Sequence, residues 1–179
     1  AELIRGKLDD ANVGDAANLI TVPLGAKIEV GPFRLEYVTL THSIPEPNGL
    51  IIETDSGTIL HTGDWKIDPD PLIGGSFDSE RLEKLGNDGV LAMVCDSTNV
   101  FEEGEAGSEL SCKVELKKLI SEQTGRVAVT AFASNVARVQ SIIEAATECE
   151  RHVCLVGRSM HRITSAAKAV GMLADIPPF

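Results

Sequence analysis

The first half of the chain alternates hydrophobic and polar positions in short runs, a pattern that predicts β-strands. The run at 33–40 sets Phe33, Leu35 and Tyr37 against Arg34 and Glu36, as in a half-buried strand. Turn residues separate the runs and predict antiparallel pairing, with helix only at 1–8 and 79–85. The predicted strands are 19–22, 27–30, 33–40, 49–54, 58–62 and 89–95.

The pattern changes after the acidic, glycine-containing stretch 101–107, which is the candidate domain boundary. Beyond it, apolar residues recur at helical spacing, as Val136, Val139, Ile143 and Ala146 do in the predicted helix 135–149. The other predicted elements here are helices 108–123 and 160–173 and strands 126–131 and 152–156. We therefore predict an α/β protein in which a mainly antiparallel part precedes a Rossmann-like parallel sheet.

Composition fits a globular α/β protein and predicts a cytoplasmic location. The 179 residues are 43% hydrophobic and 4% aromatic, enough for a core in one domain or two small ones. No apolar run approaches the length that crosses a bilayer, and residues 1–15 contain no signal peptide. The four cysteines have no CxxC spacing, so we interpret them as reduced thiols of a cytosolic protein.

The net charge of −11 is unevenly distributed along the chain. Residues 1–98 carry 7 basic against 17 acidic side chains, whereas residues 113–168 carry 9 against 5. An excess of carboxylates suits a cation-binding half, and a basic balance suits a ligand that bears phosphate. Ordinary solvated helix faces explain the basic balance about as well on charge alone.

Two short stretches each place a candidate metal ligand where a predicted strand ends. His42 opens the proline-containing loop 41–48, and Asp64 follows the strand 58–62 in the sequence His-Thr-Gly-Asp. Because one hairpin separates them, the two ends could converge on one point. An imidazole suits zinc or manganese, and a carboxylate can bridge two cations. The alternatives are a hydrogen-bonded structural histidine and an Asx turn.

Two further residues near these stretches bear on the same chemistry. We interpret His61, inside the strand before Asp64, as a hydrogen-bonded residue of the core or one that orients a ligand. Asp96 ends the apolar strand 89–95, where it either caps the following turn or orients a catalytic group. The sequence leaves both roles of Asp96 open.

The second half has its own candidate site, at two junctions between a predicted strand and the next helix. Such junctions form the ligand-binding edge of an open α/β sheet, and helix N-termini there attract phosphate. An aromatic ring with a phosphate site is a minimal single-strand nucleic-acid site. Ser134, Asn135 and Ser159 are also ordinary N-caps, residue by residue the commoner role. The junction residues are Phe132, Ala133, Ser134 and Asn135 at one end, and Arg158 and Ser159 at the other.

Five motifs occur in order along the chain: Thr-His-Ser-Ile-Pro at 41–45, His-Thr-Gly-Asp-Trp-Lys at 61–66, Asp-Ser-Thr-Asn at 96–99, Phe-Ala-Ser-Asn at 132–135 and Gly-Arg-Ser-Met at 157–160. Together they resemble the ribonuclease J family, which combines a metallo-β-lactamase fold with an inserted β-CASP domain. The resemblance covers the whole chain. It implies a partial metallo-β-lactamase αββα sandwich at 1–100 and part of a β-CASP domain at 101–179.

The resemblance implies a metal-dependent ribonuclease of RNA processing and decay, with 5′-to-3′ exonuclease and endonuclease activity. It makes His42 a metal ligand, Asp64 the ligand that bridges two zinc ions and Asp96 a carboxylate of the catalytic site. Manganese or magnesium could replace zinc, and the two metals would activate water and neutralise charge on the scissile phosphate. The full-length protein is expected to form homodimers or higher oligomers.

The same resemblance assigns RNA contact to the segment Phe132, Ala133 and Ser134, and we extend this prediction to Asn135, Arg158 and Ser159. The family's His-x-His-x-Asp-His cluster and its later β-CASP histidine motifs are absent from this sequence, which has four histidines. We therefore interpret the chain as an internal fragment that is inactive alone. The alternatives are a β-CASP nuclease acting on DNA, another hydrolase of this fold, and a non-catalytic RNA-binding subunit whose metal site has decayed.

Overall fold

The computed structural model describes residues 1–177 and residue 179, and its mixed α/β architecture confirms the predicted fold class. The chain divides into two compact units, Pro23–Cys112 and Ala1–Val22 with Lys113–Phe179. The helices are α1 (Glu2–Asp10), α2 (Ser79–Asp88), α3 (Glu109–Ser121), α4 (Val136–Glu148) and α5 (Arg158–Ala169), and Gly14–Ala16 forms a 3-10 turn. The strands are β1 (Lys27–Val30), β2 (Phe33–Thr39), β3 (Asn48–Thr54), β4 (Gly57–His61) and β5 (Ala92–Val94).

The five strands form one sheet in the order β1-β2-β3-β4-β5. Strands β1 to β4 pair antiparallel, as the turn residues between them predict. Strand β5 pairs parallel to β4 after a crossover through α2. Strands β2, β4 and β5 therefore run in the same direction, because each neighbour of β3 is antiparallel to it.

The core of Pro23–Cys112 lies between the sheet and α2. Val38 of β2, Ile51 of β3 and Leu85 of α2 are buried together, with Leu60 and Leu82 packed against them. Burial of each such side chain stabilises the fold by about 1.5–3 kcal/mol. Helix α2 is thereby fixed on one face of the sheet, and it brings the chain back to form β5.

The face of β2 that lies towards α2 is the opposite of the predicted one. Val38 is buried, whereas Phe33 is exposed and Leu35 and Tyr37 are only partly buried. Glu36 lies on the same face as Val38, where Arg81 Nε and Nη2 of α2 donate to its carboxylate at 2.7 Å each. The sequence pattern assigned this charge to solvent wrongly, because its partner lies 45 residues further along the chain.

Two predicted strands of the first half differ in the structure. Residues 19–22 are not a strand, and the apolar run 89–95 forms only the three residues of β5. Leu91, Met93 and Val94 are exposed there. Strand β5 lies at the edge of the sheet, and it pairs with β4 only from Ala92 to Val94.

In the other unit, helix α4 buries the four apolar residues predicted as its stripe, and α4 and α1 each pack against α5. The strands predicted at 126–131 and 152–156 are not formed in the described structure. A strand needs a neighbour for its N–H and C=O groups, and neither segment has one among the described residues. Val127, Val129 and Val156 are exposed as a result.

The remaining predictions about the fold concern cysteines and membranes. Cys95, Cys112, Cys149 and Cys154 are free thiols, but none of them is buried, as reduced core thiols would be: Cys154 is exposed and the other three are partly buried. None of the described helices is long and apolar enough to cross a bilayer.

Candidate active site

Three loops that carry predicted site residues lie at one edge of the sheet. His42, Asp64 and Asp96 follow the last residues of β2, β4 and β5, which are Thr39, His61 and Val94. Because these strands run in the same direction, their carboxyl ends share an edge. The His42 and Asp64 stretches therefore lie at the same edge of the sheet, and Asp96 lies there too. Their convergence on one metal-binding point remains a prediction.

Thr41 connects the His42 loop to the Asp64 loop. The Lys66 N–H donates to the Thr41 carbonyl at 2.8 Å, which makes an isolated antiparallel bridge. The Thr41 hydroxyl donates to the Lys66 carbonyl at 2.6 Å and accepts from the Asp68 N–H at 3.0 Å. Since Thr41 is only 2% exposed, water competes little for these bonds.

Thr62 connects the Asp64 loop to the Asp96 loop in the same manner. Its N–H donates to the Val94 carbonyl at 3.0 Å, and its hydroxyl accepts from the Asp96 N–H at 3.1 Å. The hydroxyl also donates to the Gly63 carbonyl at 2.8 Å. Gly63 has a φ of 61°, which glycine adopts without strain, so the chain turns directly after β4 towards Asp64.

The three side chains have different environments. Asp64 is exposed and makes no hydrogen bond or ion pair among the described residues, so its carboxylate is free to bind a cation. His42 is half-buried, with Nδ1 3.2 Å from the Ser43 hydroxyl. Asp96 is half-buried, and its backbone carbonyl accepts from Trp65 Nε1 at 3.3 Å.

The Asp96 carboxylate caps the turn that follows β5. Its Oδ1 accepts from the Thr98 hydroxyl at 2.6 Å and from the Thr98 N–H at 3.0 Å. These two donors hold the pKa of Asp96 below its ordinary value. The capping role is therefore present, and the capped carboxylate is ionised.

The described residues do not by themselves form a metal site. Among them, no three His, Cys, Asp or Glu side chains come close enough to hold one ion. Zinc sites take three or four protein ligands. His42 and Asp64 therefore fit as two ligands of a larger set.

His61 is not a core residue, so that part of its interpretation is wrong. Its side chain is exposed, and Nδ1 accepts the Gly63 N–H at 3.1 Å. This bond agrees with the predicted hydrogen-bonded role. It helps to fix the turn that leads to Asp64.

A buried charged cluster behind the site was missed in the sequence. The Asp68 side chain is 1% exposed and lies 3.2 Å from Lys66 Nζ, and Glu109 approaches the same ammonium at 3.8 Å. Burial opposes ionisation of Asp68, but the N–H groups of Glu109 and Asp70 and the Lys66 ammonium outweigh it and lower its pKa. The sequence contains one indication of this cluster: residues 64–70 include a single lysine, Lys66, among three aspartates.

A groove of about 720 Å³ opens beside Asp96. Trp65, Lys66, Asn99 and Val100 contribute to its walls. The groove thus combines an aromatic ring, a cation and an amide next to the ionised carboxylate.

The predicted RNA-contact residues lie at the starts of α4 and α5. Phe132 is 82% exposed, and Ser134, Arg158 and Ser159 are exposed, while Ala133 is partly buried. Asn135 is buried and caps α4, its Oδ1 accepting the Arg138 N–H at 2.9 Å. The capping alternative holds for Asn135 and not for Ser159, because Gly157 is the N-cap of α5.

Comparison with known proteins gives the class of domain and the family to which this chain belongs. Residues 124–178 match the family model described as "Ribonuclease J, beta-CASP domain". The class that this match defines is a β-CASP domain of a ribonuclease. The chain belongs to the ribonuclease J family.

Three relatives illustrate the match. Ribonuclease J of Sinorhizobium meliloti is 48% identical over 155 residues, which cover 87% of this chain and 28% of that protein. Ribonuclease J of Thermus thermophilus is 40% identical over 173 residues, 96% of this chain and 30% of that protein. The crystal structure of a protein of unknown function from Enterococcus faecalis V583 matches with a TM-score of 0.54 at 22% identity. The match covers 71% of this chain and 31% of that one, and at this identity it supports the fold alone. The chain spans less than a third of each.

Proposed function

We propose that this chain supplies part of the active site of a metal-dependent ribonuclease that processes and degrades RNA. The observation that carries the proposal is the convergence of His42, Asp64 and Asp96 at one sheet edge. The similarity to proteins named ribonuclease J supports the choice of RNA as substrate. The activity would combine 5′-to-3′ exonuclease and endonuclease cleavage in the cytoplasm, by a homodimer or higher oligomer.

Each residue has a proposed role. His42 and Asp64 would hold metal, with Asp64 as the bridging ligand, and Asp96 would act as an ionised acceptor in the catalytic site. Two zinc, manganese or magnesium ions would supply Lewis acidity and lower the pKa of water. The exposed ring of Phe132 suits stacking on a base, and the Arg158 guanidinium suits a phosphate.

The other four predicted RNA-contact residues would act neither by stacking nor by a charge. They are Ala133, Ser134, Asn135 and Ser159. The exposed Ser134 and Ser159 side chains can reach a ligand directly. Asn135 is buried by its capping bond, so it would act by fixing the start of α4. These four residues therefore support contacts made by Phe132 and Arg158.

The isolated chain is expected to be inactive. Since His42 and Asp64 are two ligands and zinc sites need three or four, we expect weak zinc binding or none, and no cleavage of RNA. Calorimetric titration with zinc and incubation with labelled RNA test this directly. Clear nuclease activity from the 179-residue chain would contradict it.

The decisive experiment uses a full-length protein that contains this segment. Digestion of 5′-monophosphorylated RNA in manganese or zinc is compared for the unaltered protein, Asp64→Ala and Asp70→Ala. We expect Asp64→Ala to lose more than about 100-fold in rate and the exposed Asp70→Ala to lose little. A full rate in Asp64→Ala would refute the bridging role.

Two rival functions give different outcomes in the same assay. Cleavage of single-stranded DNA but not RNA would favour a β-CASP nuclease acting on DNA. RNA binding without cleavage in any metal would favour the non-catalytic subunit.

A further inference from the structure

We propose that the buried hydroxyls of Thr41 and Thr62 are positioning groups that set the spacing of His42, Asp64 and Asp96. This inference rests on the proposed function of the three residues. Neither threonine offers a ligand itself, because both hydroxyls are already engaged within the protein. Their effect is on where the other side chains lie.

The long-range bonds of the two threonine hydroxyls join the loops that carry the candidate site. The Thr41 hydroxyl spans 25 and 27 residues to reach Lys66 and Asp68, which follow Asp64. The Thr62 hydroxyl spans 34 residues to reach the backbone N–H of Asp96. A shift in the Thr41 bonds moves the His42 loop relative to the Asp64 loop, and a shift in the Thr62 bond moves the Asp64 loop relative to the Asp96 loop.

Valine cannot replace these groups although it has almost the same shape. In Thr62→Val, the Asp96 N–H loses its acceptor, and the carbonyl of Gly63, which directly precedes Asp64, loses its donor. In Thr41→Val, the Asp68 N–H and the Lys66 carbonyl both lose a partner. Serine keeps the hydroxyl and is therefore the conservative replacement.

Thr54 provides a matched control at the opposite end of the same strands. Its hydroxyl also donates to a carbonyl, that of Gly57 at 2.9 Å, and accepts an N–H, that of Ser56 at 3.2 Å. These bonds stay within one hairpin turn and touch no candidate ligand. Thr54→Val thus removes a comparable hydroxyl without moving the site.

The test is made in a full-length protein that contains this segment. Zinc content is measured by mass spectrometry, and cobalt affinity and coordination by titration with visible absorption. We expect Thr41→Val and Thr62→Val to bind cobalt about 10- to 100-fold more weakly with an altered spectrum. Thr41→Ser and Thr62→Ser should restore both readouts, and Thr54→Val should match the unaltered protein.

The outcomes separate this inference from the proposed function. If the unaltered protein binds metal and both valine variants keep its affinity and spectrum, the positioning role is overturned. If the unaltered protein binds no metal at all, the proposed function fails and this inference falls with it. Should Thr62→Val not fold, Thr62→Ala, which leaves room for a water at the lost hydroxyl, replaces it with the same expectation.

Discussion

The guanidinium of Arg81 lies edge-on to the carboxylate of Glu36, with Nε and Nη2 each 2.7 Å from an oxygen. The pair joins α2 to β2 on the core side of the sheet and lowers the pKa of Glu36, chiefly through the hydrogen bonds from Arg81. Helix α2 leads the chain to β5, so this pair lies on the path that delivers Asp96 to the site.

The first prediction concerns acid stability. Because the pKa of Glu36 is lower in the folded state, its pairing stabilises the fold above the ordinary value of 4.5 and is lost as the pH falls through the folded pKa. Glu36→Gln should flatten this dependence as the pH falls below the ordinary value of 4.5. Urea unfolding followed by fluorescence of Trp65, the only tryptophan in the chain, measures it. If the free energy of unfolding of Glu36→Gln fell with acidification as steeply as that of the unaltered protein, the prediction would be contradicted.

The second prediction concerns the core. Ile51 is 0% exposed and contacts Val38 and Leu85, so Ile51→Ala should lower the free energy of unfolding by about 2–5 kcal/mol. Ile67→Ala, in the same unit, is the matched control, because Ile67 is 63% exposed and its loss should cost less than about 0.5 kcal/mol. If both variants lost the same free energy of unfolding, Ile51 would not be a core residue.

The third prediction separates capping from RNA contact at Asn135. Asn135→Ala removes the acceptor of the Arg138 N–H and should cost about 1 kcal/mol. Hydrogen exchange of the α4 amides should rise with it. Ser134→Ala, one residue earlier and exposed, should leave exchange unchanged. Protection that falls equally in both variants would argue against the cap.

The fourth prediction distinguishes two kinds of RNA contact in a full-length protein. Phe132→Ala should weaken RNA binding by about 1–3 kcal/mol with little change in salt dependence, since stacking involves no counterion. Arg158→Ala should reduce the salt slope by about one, as expected for one phosphate contact. Fluorescence anisotropy at several salt concentrations measures both. A reduced slope in Phe132→Ala would reverse the assignment.

Local patterns in the sequence were enough for part of the fold: the helices, the antiparallel strands and the turn before Asp64. The bounds of β1 match, the stripe of α4 is buried, and the turn at Gly63 leads to Asp64 as expected. Each of these depends on residues a few positions apart, which is the range over which periodicity and turn chemistry act.

Features that depend on distant partners were not predictable in this way. Glu36 is on the core side only because Arg81 neutralises it, and Asp68 is buried only because Lys66 and Glu109 surround it. The links through Thr41 and Thr62 cross 25 to 34 residues and leave no periodic signal. The strands expected at 126–131 and 152–156 failed for the same reason, since strand formation requires a neighbour.

The parallel pairing of β5 has a consequence for the order in which the site assembles during folding. Hairpins β1–β2, β2–β3 and β3–β4 close over short loops, whereas β5 reaches β4 only after the crossover that contains α2. Pairings between distant residues form more slowly than local ones. We therefore expect the His42 and Asp64 loops to come together early in folding. Asp96 should join them last, when β5 pairs with β4 and the Asp96 N–H donates to the Thr62 hydroxyl.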